Sequence, residues 1–371
     1  MPAWIRLLLF LPGCLFLTGC WDLEEVDHRA FATTIGIDAA PRGRVLLSAQ
    51  IPMPQRMLPP GSQGGRTGKT FNTVAITGET VRDAFGAMQT KAYRWLVIQQ
   101  NKSVVLGEAA ARAGATRYMD WLSRSPKAPP QALVYVADGR TAREILDFSP
   151  QQETLPGLQF IRSAETESKY QTNHVPVWLF RQKLVHKSKD PYAPLIGLDE
   201  HQGHYVQAGL AVFSSDRLAG KLGLDETAMF SLLTSHAHAG VLSVALPAGG
   251  RLTLRNFRGT TEIEALAVRG MPFFVLRVKV SGAITEMTSG RTRLAPRDVE
   301  GLERAVVRHL RPRLAAVVRK LQRWNADVID LGEQLRVQRP ALWRRIDWRA
   351  VYPAAGVRVE VEAEIKKSGV F

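Results

Sequence analysis

The stretch VRVEVEAEI at residues 357–365 alternates apolar and charged side chains without a break. Apolar side chains at every second position predict one buried face of a strand, and the charges between them predict one face in water. We expect a half-exposed antiparallel strand, because antiparallel sheets commonly leave one face to solvent. Residues 273–284 show a similar alternation, so the C-terminal part of the chain is predicted to hold an antiparallel sheet.

One long amphipathic helix is predicted between these two strands. Apolar residues recur at steps of three or four from Val299 to Trp324, and arginines occupy the opposite side. Pro312 falls inside this pattern and is expected to kink the helix or restart it. Residues 201–371 are therefore assigned to an α+β domain, an antiparallel sheet with helices packed on one face. Further strands are expected in it at 205–213, 218–222, 241–246 and 252–257.

Strands and helices alternate through the N-terminal part of the mature chain, which predicts a layered α/β domain over residues 20–150. The irregular, proline-punctuated residues 151–200 are assigned to a connecting segment or a small middle domain. The run 52–69 is rich in Pro and Gly and is expected to be an exposed mobile loop. The predicted strands are 31–38, 45–51, 71–77, 96–98, 103–106 and 132–137. The predicted helices are 80–91, 108–122 and 141–148, the last with Thr141 as its N-cap.

Residues 1–19 have the pattern of a lipoprotein signal peptide. Arg6 precedes an apolar run of 11 residues, Leu7–Leu17, which is shorter than the roughly 20 residues of a membrane span. The run closes on LTGC at 17–20, where small residues before a Cys are similar to a bacterial lipobox. Cys20 is predicted to take a diacylglyceryl group and to begin the mature chain. Trp21 is then predicted to rest in the headgroup region of the membrane.

Two alternatives remain open for this leader. It is either a lipoprotein signal or an ordinary cleaved signal in which the Cys occurs by chance. A second lipobox candidate ends at Cys14, but Pro12 suits it poorly and the apolar run before it would be too short. Because Cys14 and Cys20 are the two cysteines of the chain, the mature domains are predicted to fold without disulfides.

Composition and charge favour a globular protein with an anionic partner. The chain has 371 residues, 45% of them hydrophobic and 22% charged, with a formal net charge of +15. Such an excess favours phospholipid headgroups or acidic wall polymers, and we predict no nucleic-acid partner. A generally basic, Arg-rich proteome would explain the same charge.

Four groups of motifs follow one another along the chain. They are GCWD at 19–22 with IGID at 35–38; residues 101–107 with Asp120 and Arg124; GLAVF at 209–213 with LDET at 224–227; and Ala326-Asp327-Val328 through Gly332-Glu333 to Trp343 and Trp348. In this order they resemble the Ger(x)C family, the GerAC-like lipoprotein subunits of spore nutrient germinant receptors. The chain departs from the family in its high Arg and Ala content, and the loop 52–69 has no clear counterpart.

The resemblance implies a non-enzymatic protein of several mixed α/β domains. It implies a lipid-anchored subunit that is required for the germination response and that associates with A-type and B-type integral-membrane receptor subunits. Its expected place is the extracytoplasmic face of the spore inner membrane, where lipidated Cys20 contacts phospholipid. The resemblance implies no catalytic residues, no cofactor and no metal.

The runner-up hypothesis is a solute-binding lipoprotein of a transporter. That class of protein has two similar α/β lobes around a cleft, and the antiparallel character predicted for the C-terminal part counts against it. An envelope hydrolase would need a convergent catalytic set, and the sequence has no Gly-x-Ser-x-Gly elbow.

Three short motifs invite a site but are better explained otherwise. The run Gly61–Thr70 resembles a phosphate-binding loop, yet Gln63 stands where the motif needs Gly. His236 and His238 lack a nearby third ligand, so a structural role is favoured over a metal site. Asp225-Glu226 fits a helix N-terminus better than a catalytic acid pair. Trp121, Trp324, Trp343 and Trp348 are predicted to lie mostly in the core.

Overall fold

The computed structural model describes residues 28–57, 68–91, 94–151, 157, 174–234, 240–247, 249–288 and 296–366. The strands are β1 (Arg29–Phe31), β2 (Thr34–Ala39), β3 (Val45–Pro52), β4 (Phe71–Gly78), β5 (Trp95–Val97), β6 (Ser103–Leu106), β7 (Leu133–Ala137), β8 (Tyr192–Asp199), β9 (His204–Ser214), β10 (Arg217–Leu222), β11 (Gly240–Ala245), β12 (Arg251–Val268), β13 (Met271–Met287) and β14 (Gly356–Lys366). The helices are α1 (Val81–Lys91), α2 (Glu108–Ala113), α3 (Thr116–Arg124), α4 (Ala142–Asp147), α5 (Val177–Val185), α6 (Leu224–Leu233), α7 (Pro296–Arg323), α8 (Leu331–Gln338), α9 (Pro340–Trp343) and α10 (Trp348–Val351).

The first sheet has eight strands in the order β10-β9-β8-β7-β6-β2-β3-β4. The pairs β2/β6, β6/β7 and β7/β8 are parallel, and the other pairs are antiparallel. The layered α/β unit predicted for the N-terminal part is confirmed. The sheet continues past residue 150 to Leu222, so no break between sheets occurs at residue 150 or 200. The domain bounds therefore stay a prediction.

The second sheet has the order β11-β12-β13-β14, and β12 and β13 form a long antiparallel ribbon of 18 and 17 residues. The C-terminal antiparallel sheet is thus confirmed, but the prediction for its last strand is half wrong. In β14, Val359 and Ile365 are buried and Arg358 and Glu362 exposed, as expected. Yet β14 runs parallel to β13, with Phe273 opposite Gly356. The cause is the crossover through α7, which returns the chain to the end of the sheet where β13 began.

Helix α7 runs without interruption through Pro312, so the expected restart is wrong. Pro312 lies on the exposed face, and the opposite face buries Val306, Leu310, Leu314 and Leu321 completely. Burial of each such side chain contributes about 1.5–3 kcal/mol. Together these residues outweigh the roughly 3 kcal/mol that an interior proline costs a helix.

The single helix predicted over 108–122 is wrong, because the chain forms α2 and α3 with a break between them. Gly114 ends α2 with a φ of +124°, in a region that favours glycine. The amide of Ala115 then donates to the carbonyl of Asp216, at 2.6 Å, in the β9–β10 turn. The break therefore ties the helical layer to the edge of the first sheet.

One continuous apolar core joins the two sheets. The same contact cluster contains Val104 and Val134 of the first sheet, Leu276 and Val278 of the second sheet, and Leu314 of α7. An eight-stranded mixed sheet and a four-stranded sheet are not two similar lobes, so the fold does not favour the solute-binding alternative.

Candidate functional site: a buried polar cluster between the two sheets

A reciprocal pair of hydrogen bonds joins the segment before β8 to the segment after α7. The amide of Asp190 donates to the carbonyl of Asp327, at 3.0 Å. The amide of Asp327 donates back to Oδ2 of Asp190, at 2.7 Å. Both side chains are buried. These two acids form the centre of what we call the junction cluster: Asp190, Asp327, Trp348, Arg349 and Gly332.

Arg349 of α10 neutralises Asp190. Its Nη2 forms an ion pair with Oδ1 of Asp190, and the same oxygen accepts from the amide of Ser215, at 2.8 Å. The Nη1 group donates to Oγ of Ser214 and to the carbonyl of Asn325, both at 3.2 Å. Because the Asp190 side chain is only 3% exposed, it depends on these donors to stay charged in the interior.

Three donors surround the Asp327 carboxyl group. The amides of Leu331 and Gly332 lie at 2.9 and 2.6 Å, at the start of α8, and Nε1 of Trp348 lies at 3.0 Å. Burial raises the pKa of Asp327 to about 7, although these donors favour the ionised form. Asp327 therefore fixes α8 and α10 in one arrangement and changes its charge near neutral pH.

Gly332 is required where α8 passes the indole of Trp348. A Cβ at this position would overlap the indole ring and would lie 2.9 Å from the carbonyl oxygen of Ser188. Helix α8 can thus approach both Trp348 and the segment before β8 only without a side chain here.

A second ion pair flanks the cluster. The Nζ of Lys183 lies 2.5 Å from Oδ1 of Asp330, and the Lys183 side chain is 7% exposed. Next to it, Oγ of Ser188 donates to Glu333, at 2.9 Å. The pKa of Glu333 is lowered to about 2, mainly because Arg336 donates to its carboxylate. Helix α8 is therefore held to the region of the first sheet along its whole first turn.

A solvent-open groove of about 460 Å³ lies beside the junction cluster. Val185, Trp343 and Ile346 give it apolar walls, and Lys187 adds a positive charge. Among the residues that the structure describes, no group of three or more His, Cys, Asp or Glu side chains is placed to hold a metal ion.

The motif residues of the sequence have structural roles. In IGID, Asp38 accepts hydrogen bonds from the amides of Ala142 and Arg143, at 2.7 and 3.0 Å, at the start of α4. A Cβ on Gly107 would overlap Oδ1 of Asp38, so the glycine makes room for the carboxyl group. Burial raises the pKa of Asp38. In LDET, Glu226 accepts from the amide of Gly223, at 3.0 Å, which confirms its place at a helix N-terminus.

Several predicted site residues lie outside the described part of the chain. Cys20, Trp21, His236, His238 and most of the run 61–70 are among them, so the lipid anchor and the headgroup position of Trp21 stay predictions. From the last run, Lys69 donates to the carbonyl of Asp147, at 3.0 Å. Trp348 is buried as predicted; Trp121, Trp324 and Trp343 are partly buried, while Trp95 and Trp178 are exposed.

Asp190 and Arg349 were missed by the sequence reasoning. Asp190 stands in Lys-Asp-Pro at 189–191, and Arg349 is one of many arginines in its region. Neither residue interrupts a periodic pattern of apolar residues, so no local signal distinguishes Asp190 and Arg349 from charged residues on the surface. Asp327, Gly332 and Trp348 did carry a signal, because all three belong to the last group of family motifs.

Family models match most of the chain. The spore germination protein N-terminal domain matches residues 22–198, and the C-terminal domain described as spore germination B3/GerAC-like matches residues 208–369. The chain belongs to the GerAC-like family of spore germination proteins. This membership gives the chain a role related to spore germination. The first match ends within β8 and the second begins within β9, so the gap between them lies inside the first sheet.

Known GerAC-like proteins match the chain from end to end. A putative spore germination protein, YfkR of Bacillus subtilis (strain 168), is 27% identical over 96% of this chain and 95% of its own length. Spore germination protein B3 of the same organism is 24% identical over 96% of this chain and 95% of its own length. Spore germination protein GerQC of Bacillus cereus is 21% identical over 100% of this chain and 99% of its own length.

The fold also has a solved counterpart. The crystal structure of the GerBC protein superposes with a TM-score of 0.58 at 17% identity and covers 93% of this chain and 99% of that one. This likeness confirms the mixed α+β fold with a C-terminal antiparallel sheet. In the part of the chain that the structure describes, no helix is both long and apolar enough to cross a bilayer.

Proposed function

We propose that the chain is a lipid-anchored, non-enzymatic subunit of a spore nutrient germinant receptor. The family match over residues 22–198 and 208–369 carries this proposal. Full-length similarity to spore germination proteins supports it further. The subunit would sit on the extracytoplasmic face of the spore inner membrane, beside A-type and B-type integral-membrane subunits.

The anchor of this proposal is Cys20. Only seven residues, 21–27, lie between Cys20 and His28, where the described part of the chain begins. An extended chain spans about 3.3–3.6 Å per residue, so His28 would lie within roughly 30 Å of an acylated Cys20. A short tether of this kind holds the protein against the bilayer surface and limits which of its faces can touch membrane.

The junction cluster suits a subunit that works as one body. It ties the first sheet to the helices that cover the second sheet through a reciprocal pair of hydrogen bonds and an ion pair to the buried Asp190. A rigid subunit beside integral-membrane subunits could transmit a movement of one partner to another without catalysing a reaction. This role needs a stable interface, not a reactive group.

The main test compares two cysteine variants in spores. Cys20→Ala should release the protein from the membrane fraction and weaken the germination response to nutrients. Cys14→Ala is the matched control, because this residue would leave with the signal peptide, and it should behave as wild type. Membrane retention and normal germination in Cys20→Ala spores would contradict the anchor.

Two further measurements address partners and activity. Copurification from spore membranes with wild-type protein should recover A-type and B-type subunits.

Calorimetry of the purified mature protein with nutrient mixtures should give no binding heat. Tight binding by the isolated protein would favour the solute-binding lipoprotein instead.

A further inference from the structure

The tip of the β12–β13 ribbon has an unusual turn. Val268 pairs with Met271, which leaves Arg269 and Gly270 as a two-residue turn. Their φ angles are +50° and +78°. Turns with positive φ at both central residues strongly prefer Asn, Asp or Gly at the first position. Arg269 thus adopts a left-handed conformation that costs an ordinary residue roughly 1–2 kcal/mol, at an exposed end of the ribbon.

Apolar side chains flank this arginine in water. Val268 is 47% exposed and Met271 44% exposed. In a purely structural hairpin, polar residues would serve as well at these two positions. A cation held between two exposed apolar side chains is instead typical of a surface that enters a membrane interface.

Helix α8 adds to the same surface. The side chain of Gln338 accepts from the amide of Ala265 and donates to the carbonyl of Ile263, both at 2.8 Å, so the C-terminal end of α8 is fixed to β12 close to the tip. Val337, the neighbouring residue, is 62% exposed. Arg339, the next residue on the other side, is also exposed. We call Val268, Arg269, Met271, Val337 and Arg339 the tip surface.

The two segments that carry the tip surface hold charge of one sign, and Glu264 beside them is paired with Arg277. Residues 265–276 and 334–346 contain no Asp or Glu. They contain the arginines Arg269, Arg336, Arg339, Arg344 and Arg345. Arg336 is paired with Glu333, and the other four guanidinium groups are on exposed residues. The potential here is therefore positive, and it favours an anionic surface.

We propose that the tip surface is a second membrane contact, which binds anionic phospholipid headgroups and inserts Val268 and Met271 into the interface. Three apolar side chains around a narrow tip cannot supply the roughly 800 Å² per partner of a stable protein interface. They suit the headgroup boundary, where each nearby Arg contributes about 1 kcal/mol on an anionic bilayer. This inference rests on the proposed lipid anchor, which would keep the protein at the bilayer surface.

The experiment uses mature, lipidated protein reconstituted on vesicles of phosphatidylcholine alone or with phosphatidylglycerol. Met271→Cys places a polarity-sensitive dye at the tip, since Cys20 is acylated and no other cysteine remains. Val241→Cys is the matched control. It is an exposed valine of β11, beside the Gly240–Phe257 pair and so more than ten residues along the ribbon from the tip.

We expect the dye at residue 271 to shift to the blue and to be quenched by lipid-borne quenchers on phosphatidylglycerol vesicles, while the dye at residue 241 does not change. Adding Arg269→Asn should reduce the equilibrium constant for membrane contact of the tip about fivefold, the factor for one basic residue. High salt should reduce it further. Circular dichroism would verify that this variant is folded.

Three results would overturn the tip contact. They are the same dye response at residues 271 and 241, a response equal on neutral and anionic vesicles, and a response that needs the integral-membrane subunits in the same vesicle. A vesicle flotation assay distinguishes failure of the tip contact from failure of the proposed function. Protein that does not float with neutral vesicles contradicts the acyl anchor, whereas protein that floats with an unchanged dye contradicts only the tip contact.

Discussion

The junction cluster and the tip surface use arginine in opposite ways. Arg349 pairs with a buried carboxylate and makes further bonds to Ser214 and Asn325. Arg269 stands in water in a conformation that favours other residues. The first arginine is explained by the fold, because a buried charge needs it. The second is not explained by the fold, and this contrast is what points to a partner outside the chain.

The largest effect is expected at Arg349. Arg349→Met should lower the free energy of unfolding by about 4 kcal/mol, because it leaves the buried Asp190 without its counter-charge. Urea denaturation measures the change. Arg345→Met is the control, since an exposed residue should change stability by less than about 0.5 kcal/mol. Equal effects of the two substitutions would show that pairing with the buried Asp190 does not distinguish Arg349 from an exposed arginine.

The next largest effect is a pH dependence of the free energy of unfolding, which we expect from Asp327. Burial raises its pKa to about 7 in the folded chain, against an ordinary value near 4. The neutral form is therefore favoured by folding, and this stability is present below pH 4 and lost as pH rises toward 7. We expect wild-type protein to lose about 3 kcal/mol relative to Asp327→Asn across that range. Denaturation curves at pH 4, 5, 6 and 7 give the difference, and a constant difference would contradict the shift.

A smaller effect is expected from adding one methyl group to α8. Gly332→Ala should cost about 2 kcal/mol, because the Cβ overlaps the Trp348 indole and crowds the Ser188 carbonyl. Gly301→Ala in α7 is the matched control, since its nearest neighbour is Arg304 at 4.0 Å. A helical Gly→Ala change there should stabilise by about 1 kcal/mol. Thermal unfolding of both variants tests whether the two substitutions change stability in opposite directions.

The smallest change in stability is expected from a substitution of Arg269 at the tip. Arg269→Asn should raise stability by about 0.5 kcal/mol, because Asn tolerates the left-handed turn better than Arg. Arg269→Lys keeps the charge and should not stabilise. A loss of stability in the Asn variant, measured by urea denaturation, would show that Arg269 serves the fold after all.

Short-range features could be predicted well from the sequence. Thr141 was expected to cap α4, and its side chain accepts from the amide of Glu144 while Glu144 accepts from the amide of Thr141, at 3.1 and 2.7 Å. The alternation in residues 357–365 gave the correct buried face. Both features depend on residues within a few positions of one another, where spacing and side-chain chemistry decide the outcome.

Long-range features could not be predicted in this way. Asp190 meets Asp327 and Arg349 from 137 and 159 residues away, and no local pattern records such a meeting. The direction of β14 depends on where α7 delivers the chain, and the break at Gly114 depends on the carbonyl of Asp216.

The sequence by itself determined the amphipathic strands and helices, the family, and the expectation of a lipid at Cys20. Periodicity and ordered motifs are written along the chain, so they need no knowledge of contacts. Only the tertiary structure decided that one core joins both sheets, that Asp190 and Arg349 belong together, and that the end of α8 is bonded to β12 near its tip. The physical reason is that burial and pairing depend on which distant segments meet in space.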